Sequence, residues 1–157
     1  MLLVLLTAFA LSQSYRTTAA ILAPDLQSTF GLSAQSLGAF AGLFGFSFAV
    51  AQLLVGVSVD VYGLRRTILS AFLLAVAGAV LSALAPSYAW LMAGQLLIGI
   101  GCSPAFLVCT VFIARYFASD RFAFFSGICL GMGGLGLLFT GTPLAWVVQH
   151  QGWRAGF

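Results

Sequence analysis

The sequence lacks lysine and glutamate altogether, and charged residues of any kind occupy only 6% of its 157 positions. Soluble domains carry far more charge than this, typically about a quarter of all residues. A chain that is 62% hydrophobic is therefore predicted to have lipid as its main solvent. Its six arginines are scattered and form no patch or stripe, so nucleic-acid binding is not expected.

Catalytic and metal-binding patterns are also missing. The sequence shows no serine, histidine and aspartate set, no phosphate-binding Gly-Lys-Ser/Thr loop and no acidic pair inside an apolar run. No catalytic residue, metal site or cofactor is therefore predicted, and an enzyme is not expected. Three cysteines lie in apolar runs without a Cys-x-x-Cys pair, which predicts buried structural thiols: Cys102, Cys109 and Cys129.

The apolar runs are long and continuous, unlike the alternating segments of about 10 residues that form barrel strands. A helical crossing needs roughly 20 apolar residues, so the chain has room for about five. We therefore predict an all-α, polytopic transmembrane helical bundle, a single domain over residues 1–157 that crosses the cell membrane several times. The spans are expected at about residues 1–23, 35–59, 67–86, 89–114 and 122–148.

Breaks between these spans have local causes, because proline and runs of polar residues interrupt apolar helices. Pro24 and Asp25 are expected to end the first helix, and Pro86 with Ser87 to end the third. The polar runs that separate the other spans are 60–66 and 119–121, and residues 150–157 are expected to form a polar turn.

Arginine positions predict the orientation, since positive residues favour cytoplasmic connections. The connections after the even-numbered spans hold four arginines, whereas the opposite side holds one, so the N-terminus is predicted to be cytoplasmic. The two sets are Arg65, Arg66, Arg115 and Arg121 against Arg154. Tryptophans favour the headgroup layer, and all three map to the side opposite the four arginines: Trp90, Trp146 and Trp153.

Small residues form stripes in two spans, at spacings of three and four that keep them on one helix face. Such stripes allow close packing between helices in lipid, either as a static contact or as a surface on which helices slide. The second span carries Gly38, Gly42, Gly45, Ala49, Gln52 and Gly56, and the fifth carries Gly127, Gly131 and Gly134.

The loop between the second and third spans contains Gly56, Asp60, Gly63 and the basic pair Arg65 and Arg66. This spacing resembles the signature loop between helices two and three of the major facilitator superfamily of transporters. Gly63 is expected to permit the chain reversal and Gly56 a tight helix approach.

Asp60 needs a partner at the edge of the lipid, and we expect it to meet Arg115 or a helix N-terminus of a partner bundle. The resemblance implies a cytoplasmic gating loop, a latch of the outward-open state that Asp60, Arg65 and Arg66 form together. A charge cluster that only sets membrane topology is the alternative.

The resemblance continues along the chain. The stretch 94–101 is similar to the family's fourth-helix motif, with Gln95 where an arginine is usual, and 131–143 and 152–154 resemble the fifth helix and the loop after it. A neutral amide can hydrogen-bond but cannot hold charge.

Together the similarity matches roughly the N-terminal half of a transporter. It implies secondary active transport of a small solute, by symport or antiport and alternating access, together with a missing C-terminal half or a second copy. A non-transporting truncated membrane protein or scaffold is the alternative.

One charged residue, Arg16, lies well inside a span. A charge there costs at least about 2.5 to 3.5 kcal/mol on insertion scales, so it is a functional candidate. We expect Arg16 to face a central cavity and attract an anionic solute, with Gln13 and Gln95 supplying hydrogen bonds. The alternative is that Arg16 snorkels to the outer headgroups. His150 is expected to be a surface residue.

Overall fold

The computed structural model describes residues 2–157 and is helical along that range, without a strand. The all-α prediction is therefore confirmed; Met1, the first residue of the first predicted span, lies outside the described residues. The helices are α1 (Leu2–Phe30), α2 (Ala34–Ala83), α3 (Tyr88–Cys102), α4 (Pro104–Tyr116), α5 (Phe122–Thr140) and α6 (Thr142–Gln151). Short 3₁₀ turns occupy Ser119–Arg121 and Trp153–Gly156.

Three helical stretches of the described chain are long and apolar enough to cross a membrane: Ala34–Ala83, Tyr88–Tyr116 and Phe122–Gln151. They cover the last four predicted spans, except that α2 ends at Ala83, three residues before the predicted end of the third span at 86. Helix α1 occupies the first span. A helix satisfies its own backbone hydrogen bonds, which is what a segment surrounded by lipid requires. The chain therefore has the architecture of a helical integral membrane protein.

Although α2 is continuous by its hydrogen bonding, the chain reverses within it at Gly63, where φ is 79° and ψ is 162°. We call 34–62 the first arm and 64–83 the second arm. The hydroxyl of Thr67 donates to the Ser58 carbonyl at 3.0 Å, which joins the two arms beside the reversal. Gly63 thus makes the turn that was predicted for it, because a residue with a side chain rarely adopts this backbone conformation.

Replacing Gly63 with alanine is expected to lower the free energy of unfolding by about 1–3 kcal/mol, the cost of holding a residue with a Cβ in this extended, positive-φ conformation. Gly56→Ala is the matched control, because Gly56 has helical geometry and a Cβ there meets no described atom within 4 Å. That substitution should stabilise the arm slightly, since alanine is the better helix former. Thermal unfolding of both variants in detergent measures the difference; equal shifts would contradict the assignment of the reversal to Gly63.

Helix α3 lies between the two arms, and glycines set its distance from both. A Cβ on Gly101 would overlap the backbone of Ala75, and one on Gly99 would overlap the Ser47 side chain. A Cβ on Gly78, in the second arm, would come within 2.7 Å of the Gly94 carbonyl oxygen. Such close approach lets dispersion forces hold helices together where the hydrophobic effect cannot.

A bend, but no break, separates α3 from α4. Ser103 keeps helical angles of φ −59° and ψ −38°, and Pro104 begins α4. Proline is tolerated at the first turn of a helix because its missing N–H has no partner there anyway. The predicted span 89–114 is consequently a single bent helical segment, long and apolar enough to cross a membrane.

Helix α5 packs against α1 through a polar seam. The Ser14 hydroxyl donates to the Gly136 carbonyl at 2.8 Å, and the hydroxyls of Thr17 and Thr140 lie 2.7 Å apart. A Cβ on Gly136 would overlap the Ala10 carbonyl oxygen, so the two backbones are in direct contact. We refer to this contact below as the α1–α5 seam.

The prediction that Pro24 and Asp25 end the first helix is wrong, because α1 continues through Pro24 to Phe30. Proline removes one backbone hydrogen bond and disfavours the preceding turn. The turn beyond it is nevertheless stabilised, since Leu26 is fully buried in a cluster with Leu22 and Trp153. Tertiary packing therefore outweighs the local signal.

The final residues are docked onto the bundle and do not form the predicted polar turn. Trp153 is only 5% exposed and its ring lies 5.7 Å from that of Phe30. Tyr15 donates its hydroxyl to the Phe157 carbonyl at 3.0 Å. Trp153 is thus a core residue, in contrast to Trp90 and Trp146, which are exposed.

The cysteines are buried free thiols, as predicted. Two of them meet across a helix pair, with the sulfurs of Cys109 in α4 and Cys129 in α5 lying 3.0 Å apart. Both belong to the apolar cluster that joins α1, α2, α4 and α5. Their position explains them as packing residues.

Candidate functional site

A cavity of about 250 Å³ opens among α1, the first arm, α4 and α5. It brings together two of the predicted solute-binding residues, Gln13 and Arg16, which lie three positions apart on one face of α1. The remaining lining residues are Phe9, Ser12, Phe48, Gln52, Phe106 and Leu130. Drug-sized ligands usually occupy about 300–1,000 Å³, so this volume suits part of a site or a small solute.

Arg16 supplies the charge of the cavity. Its guanidinium carbon lies 5.9 Å from the centroid of the Phe48 ring, within the range of a cation–π contact. No carboxylate in residues 2–157 lies within ion-pair distance of Arg16, and the side chain is exposed. Its donors are therefore available to a ligand.

Gln52 is a cavity residue that sequence reasoning did not assign to the site. Its Oε1 atom is buried without a hydrogen-bond partner in the described part of the chain, and a buried acceptor left unpaired is costly. From its spacing, Gln52 was assigned to the small-residue stripe of the second span. It could have been recognised as a candidate binding residue because it is an amide in an apolar span, one helical turn after the aromatic residue Phe48.

Gln95 lies elsewhere. It is 1% exposed, it does not line the cavity, and its Oε1 also lacks a partner among the described residues. Its neighbours in α3, Gly94 and Gly99, face the second and the first arm respectively. The structure therefore joins Gln13 to Arg16 and leaves Gln95 in the helix packing.

Short polar side chains fix α1, and with it the direction of Gln13 and Arg16. The Ser12 hydroxyl donates to the Cys102 carbonyl of α3 at 3.3 Å. Ser14 and Thr17 bind α5 on the opposite side through the α1–α5 seam. Because these anchors alternate with Gln13 and Arg16 along the helix, rotation of α1 about its axis is restrained.

The loop at Gly63 is the second functional candidate. There Asp60 makes the contact with Arg115 that was expected from the sequence. A carboxylate oxygen of Asp60 lies 3.9 Å from the Arg115 guanidinium. The two side chains are 77% and 56% exposed, and exposed pairs contribute only about 0–1 kcal/mol. Arg65 and Arg66 are also exposed.

Gly56 does not make the tight helix approach that was expected of it. A Cβ at this position has no atom within 4 Å among the described residues. The same holds for the glycines of both predicted stripes: Gly38, Gly42, Gly45, Gly127, Gly131 and Gly134. These stripes face away from the described chain, and the close contacts inside the bundle use other glycines.

The side chains that line the cavity are suited to binding. Its lining offers one guanidinium, two amides, a hydroxyl and aromatic rings, with no carboxylate or imidazole among the described lining residues. Such a set can attract charge and exchange hydrogen bonds with a polar solute. No group of three metal-ligating side chains occurs in residues 2–157.

Long apolar helices around a small, partly polar cavity are typical of a polytopic membrane protein. The chain belongs to the Major Facilitator Superfamily, whose family model matches residues 4–157. The resemblance inferred from the loop at Gly63 is thereby confirmed.

Curated relatives of this chain are transporters. The facilitated glucose transporter member 10 of solute carrier family 2 from Mus musculus is 31% identical over 139 residues, 83% of this chain and 26% of the relative. Polyol transporter 5 of Arabidopsis thaliana is 31% identical, covering 75% of this chain and 22% of the relative. The probable sulfoacetate transporter SauU of Cupriavidus necator is 26% identical over 90% of this chain and 33% of its own length. The chain thus spans about a quarter to a third of the relatives' length.

Proposed function

We propose that this bundle is one half of a secondary transporter that moves a small polar solute by alternating access. The observation that carries the proposal is the cavity at Gln13, Arg16 and Gln52, placed among membrane helices of a Major Facilitator chain. Binding near the middle of the helices, at the contact between two bundles, is how such folds expose a site to either side in turn. The names of the three relatives support transport of small solutes.

An organic anion is the solute class that the cavity favours. Arg16 presents a planar set of donors without an acidic partner in the described chain, and guanidinium binds carboxylate or sulfonate groups through paired hydrogen bonds. The Cupriavidus relative is named for an anion of this kind, sulfoacetate. A neutral sugar or polyol is the second candidate, favoured by the names of the 31% identical relatives and by the free amide acceptor of Gln52.

A second bundle is proposed to complete the site, either a C-terminal half or a second copy of this chain. The support is the pair of glycine stripes on the first arm and α5, which meet no described atom within 4 Å. Small residues at helix surfaces allow such close contact between bundles in lipid. The cavity then becomes enclosed on the side where this chain leaves it open.

The orientation is proposed from the arginine distribution, with the N-terminus and the loop at Gly63 on the cytoplasmic side of a cell membrane. Five crossings follow if α1, the two arms, α3 with α4, and α5 with α6 each span the bilayer once. Their lengths support this, because about 20 residues suffice for one crossing.

Solute exchange in proteoliposomes tests the function. The bundle, together with its completing half, is reconstituted and offered a radiolabelled sulfonate, carboxylate, hexose and polyol from the opposite side. Saturable exchange of one class supports transport and identifies that class. Folded, correctly inserted protein that exchanges none of the four would favour the alternative, a non-transporting membrane scaffold.

The Asp60–Arg115 pair is proposed to act as a latch at the cytoplasmic end, with Arg65 and Arg66 beside it. Asp60→Arg should shift the equilibrium between the closed and open states of the cytoplasmic end toward the open state. The shift should be at most about fivefold, because an exposed pair contributes up to roughly 1 kcal/mol. The exchanged pair Asp60→Arg with Arg115→Asp should restore it. Cysteine accessibility at the cytoplasmic end measures the shift; failure of the double variant to recover would indicate a purely topological role.

A further inference from the structure

A second groove, of about 400 Å³, lies on the side of α2 where its two arms meet the bend between α3 and α4. It is separate from the cavity at Arg16, since the two share no lining residue. Most of its wall is apolar, built from Leu54, Val55, Ala71, Leu74, Ile100 and Pro104. It ends beside the chain reversal, at Tyr62 and Arg66.

Hydroxyl groups in the groove wall are already satisfied by their own α-helical backbone. Ser58 donates to the Leu54 carbonyl at 2.9 Å, Ser70 to the Thr67 carbonyl at 3.1 Å, and Ser103 to the Ile100 carbonyl at 2.7 Å. A polar solute would find few hydrogen-bond donors along this wall. A hydrocarbon chain has no polar groups, so it loses no hydrogen bond by lying along this wall.

The end of the groove carries a positive charge. Arg66 is exposed and makes no ion pair within residues 2–157, where the ion pair that is present joins Asp60 to Arg115. Tyr62 offers a hydroxyl at the same end. The ligand that fits is therefore long, apolar along its length and anionic at one tip.

We propose that this groove binds an anionic glycerophospholipid, with one acyl chain between the arms and the phosphate on Arg66. Basic pockets between membrane helices near the membrane surface have this chemistry. The proposal requires only that the bundle lies in a bilayer, and it goes beyond the proposed transport function. Arg65, adjacent in the chain, does not line the groove.

Native mass spectrometry of the purified protein in non-ionic detergent tests this site. The protein is titrated with phosphatidylglycerol or with phosphatidylcholine of the same acyl chains. Phosphatidylglycerol should bind more tightly, and Arg66→Gln should weaken it about tenfold, the effect of losing one charge-assisted contact. Arg65→Gln is the matched control and should leave the affinity within about twofold. Equal losses in both variants would show general surface charge and overturn the site.

Ser70→Trp tests the groove separately from the charge, because a large ring there fills the space between the arms. Leu69→Trp is its control, since Leu69 is exposed and lies outside the groove. Only Ser70→Trp should weaken phosphatidylglycerol binding. Glycerol 3-phosphate, which has the headgroup chemistry without acyl chains, should not compete; effective competition by it would overturn the proposed lipid.

Discussion

Transport of an anionic solute is expected to fall about 10- to 100-fold when Arg16 is replaced by glutamine. A hydrogen bond to a charged group contributes about 1.5–3 kcal/mol, and each 1.4 kcal/mol corresponds to about tenfold in affinity. Glutamine keeps donors and an acceptor but loses the charge and the planar fork. Arg16→Lys should lie between, because lysine keeps the charge and N–H donors but loses the planar fork. The readout is the initial rate and half-saturating concentration of uptake in proteoliposomes.

The control is Arg121→Gln, which removes an exposed arginine outside the cavity and should leave uptake unchanged. A neutral hexose should be affected less than an anion by Arg16→Gln. If uptake of the anion stays at the level of the unsubstituted protein in Arg16→Gln at equal expression, Arg16 only reaches the headgroup layer, which was the alternative from the sequence.

Gly136→Val is expected to prevent the bundle from folding. A Cβ at this position would overlap the Ala10 carbonyl oxygen and lie 2.8 Å from the Ala10 carbonyl carbon. Backbone atoms cannot move aside as side chains do, so the cost should reach or exceed the roughly 3 kcal/mol upper end of ordinary overpacking. Moving the two helices apart to make room would also break the Ser14 hydrogen bond to the carbonyl of residue 136. Thermal unfolding and the monodisperse fraction in detergent measure the effect.

Gly134→Val provides the matched comparison, two residues away on the same helix. A Cβ there meets no described atom within 4 Å, so the isolated chain should fold as before. The same substitution should nevertheless reduce assembly with a completing bundle, because Gly134 belongs to the stripe proposed as its contact surface. A folded Gly136→Val protein would show that α1 and α5 do not approach as closely as described.

Local signals in the sequence predicted the helices and most of their limits. Gly63 was recognised as the reversal because it lies between Asp60 and the basic pair Arg65 and Arg66, in a short loop between two apolar spans, and glycine tolerates the backbone angles of a tight turn. The prediction from Pro24 was wrong because packing of Leu26 stabilises the helical turn beyond the proline. Leu26 is buried together with Trp153, which lies more than a hundred residues later in the chain. A contact at that separation leaves no trace in local periodicity.

The site was predicted in part for a similar reason. Gln13 and Arg16 share one helix face, so their spacing alone placed them together. Gln52 comes from another helix, and which side of the first arm turns toward α1 follows only from packing. The glycine stripes show the same limit: their spacing identified a smooth face but did not reveal that Gly99, Gly101 and Gly136 hold the bundle together instead.

The α1–α5 seam has a consequence for how the cavity can open. Ser14 and Thr17 join α1 to α5 by hydrogen bonds at 2.8 Å and 2.7 Å, so separating these two helices would break both bonds. Widening of the space around Arg16 is therefore expected to leave this contact intact. The movement that opens the cavity is expected on its other sides, in the first arm with Phe48 and Gln52 and in α4 with Phe106.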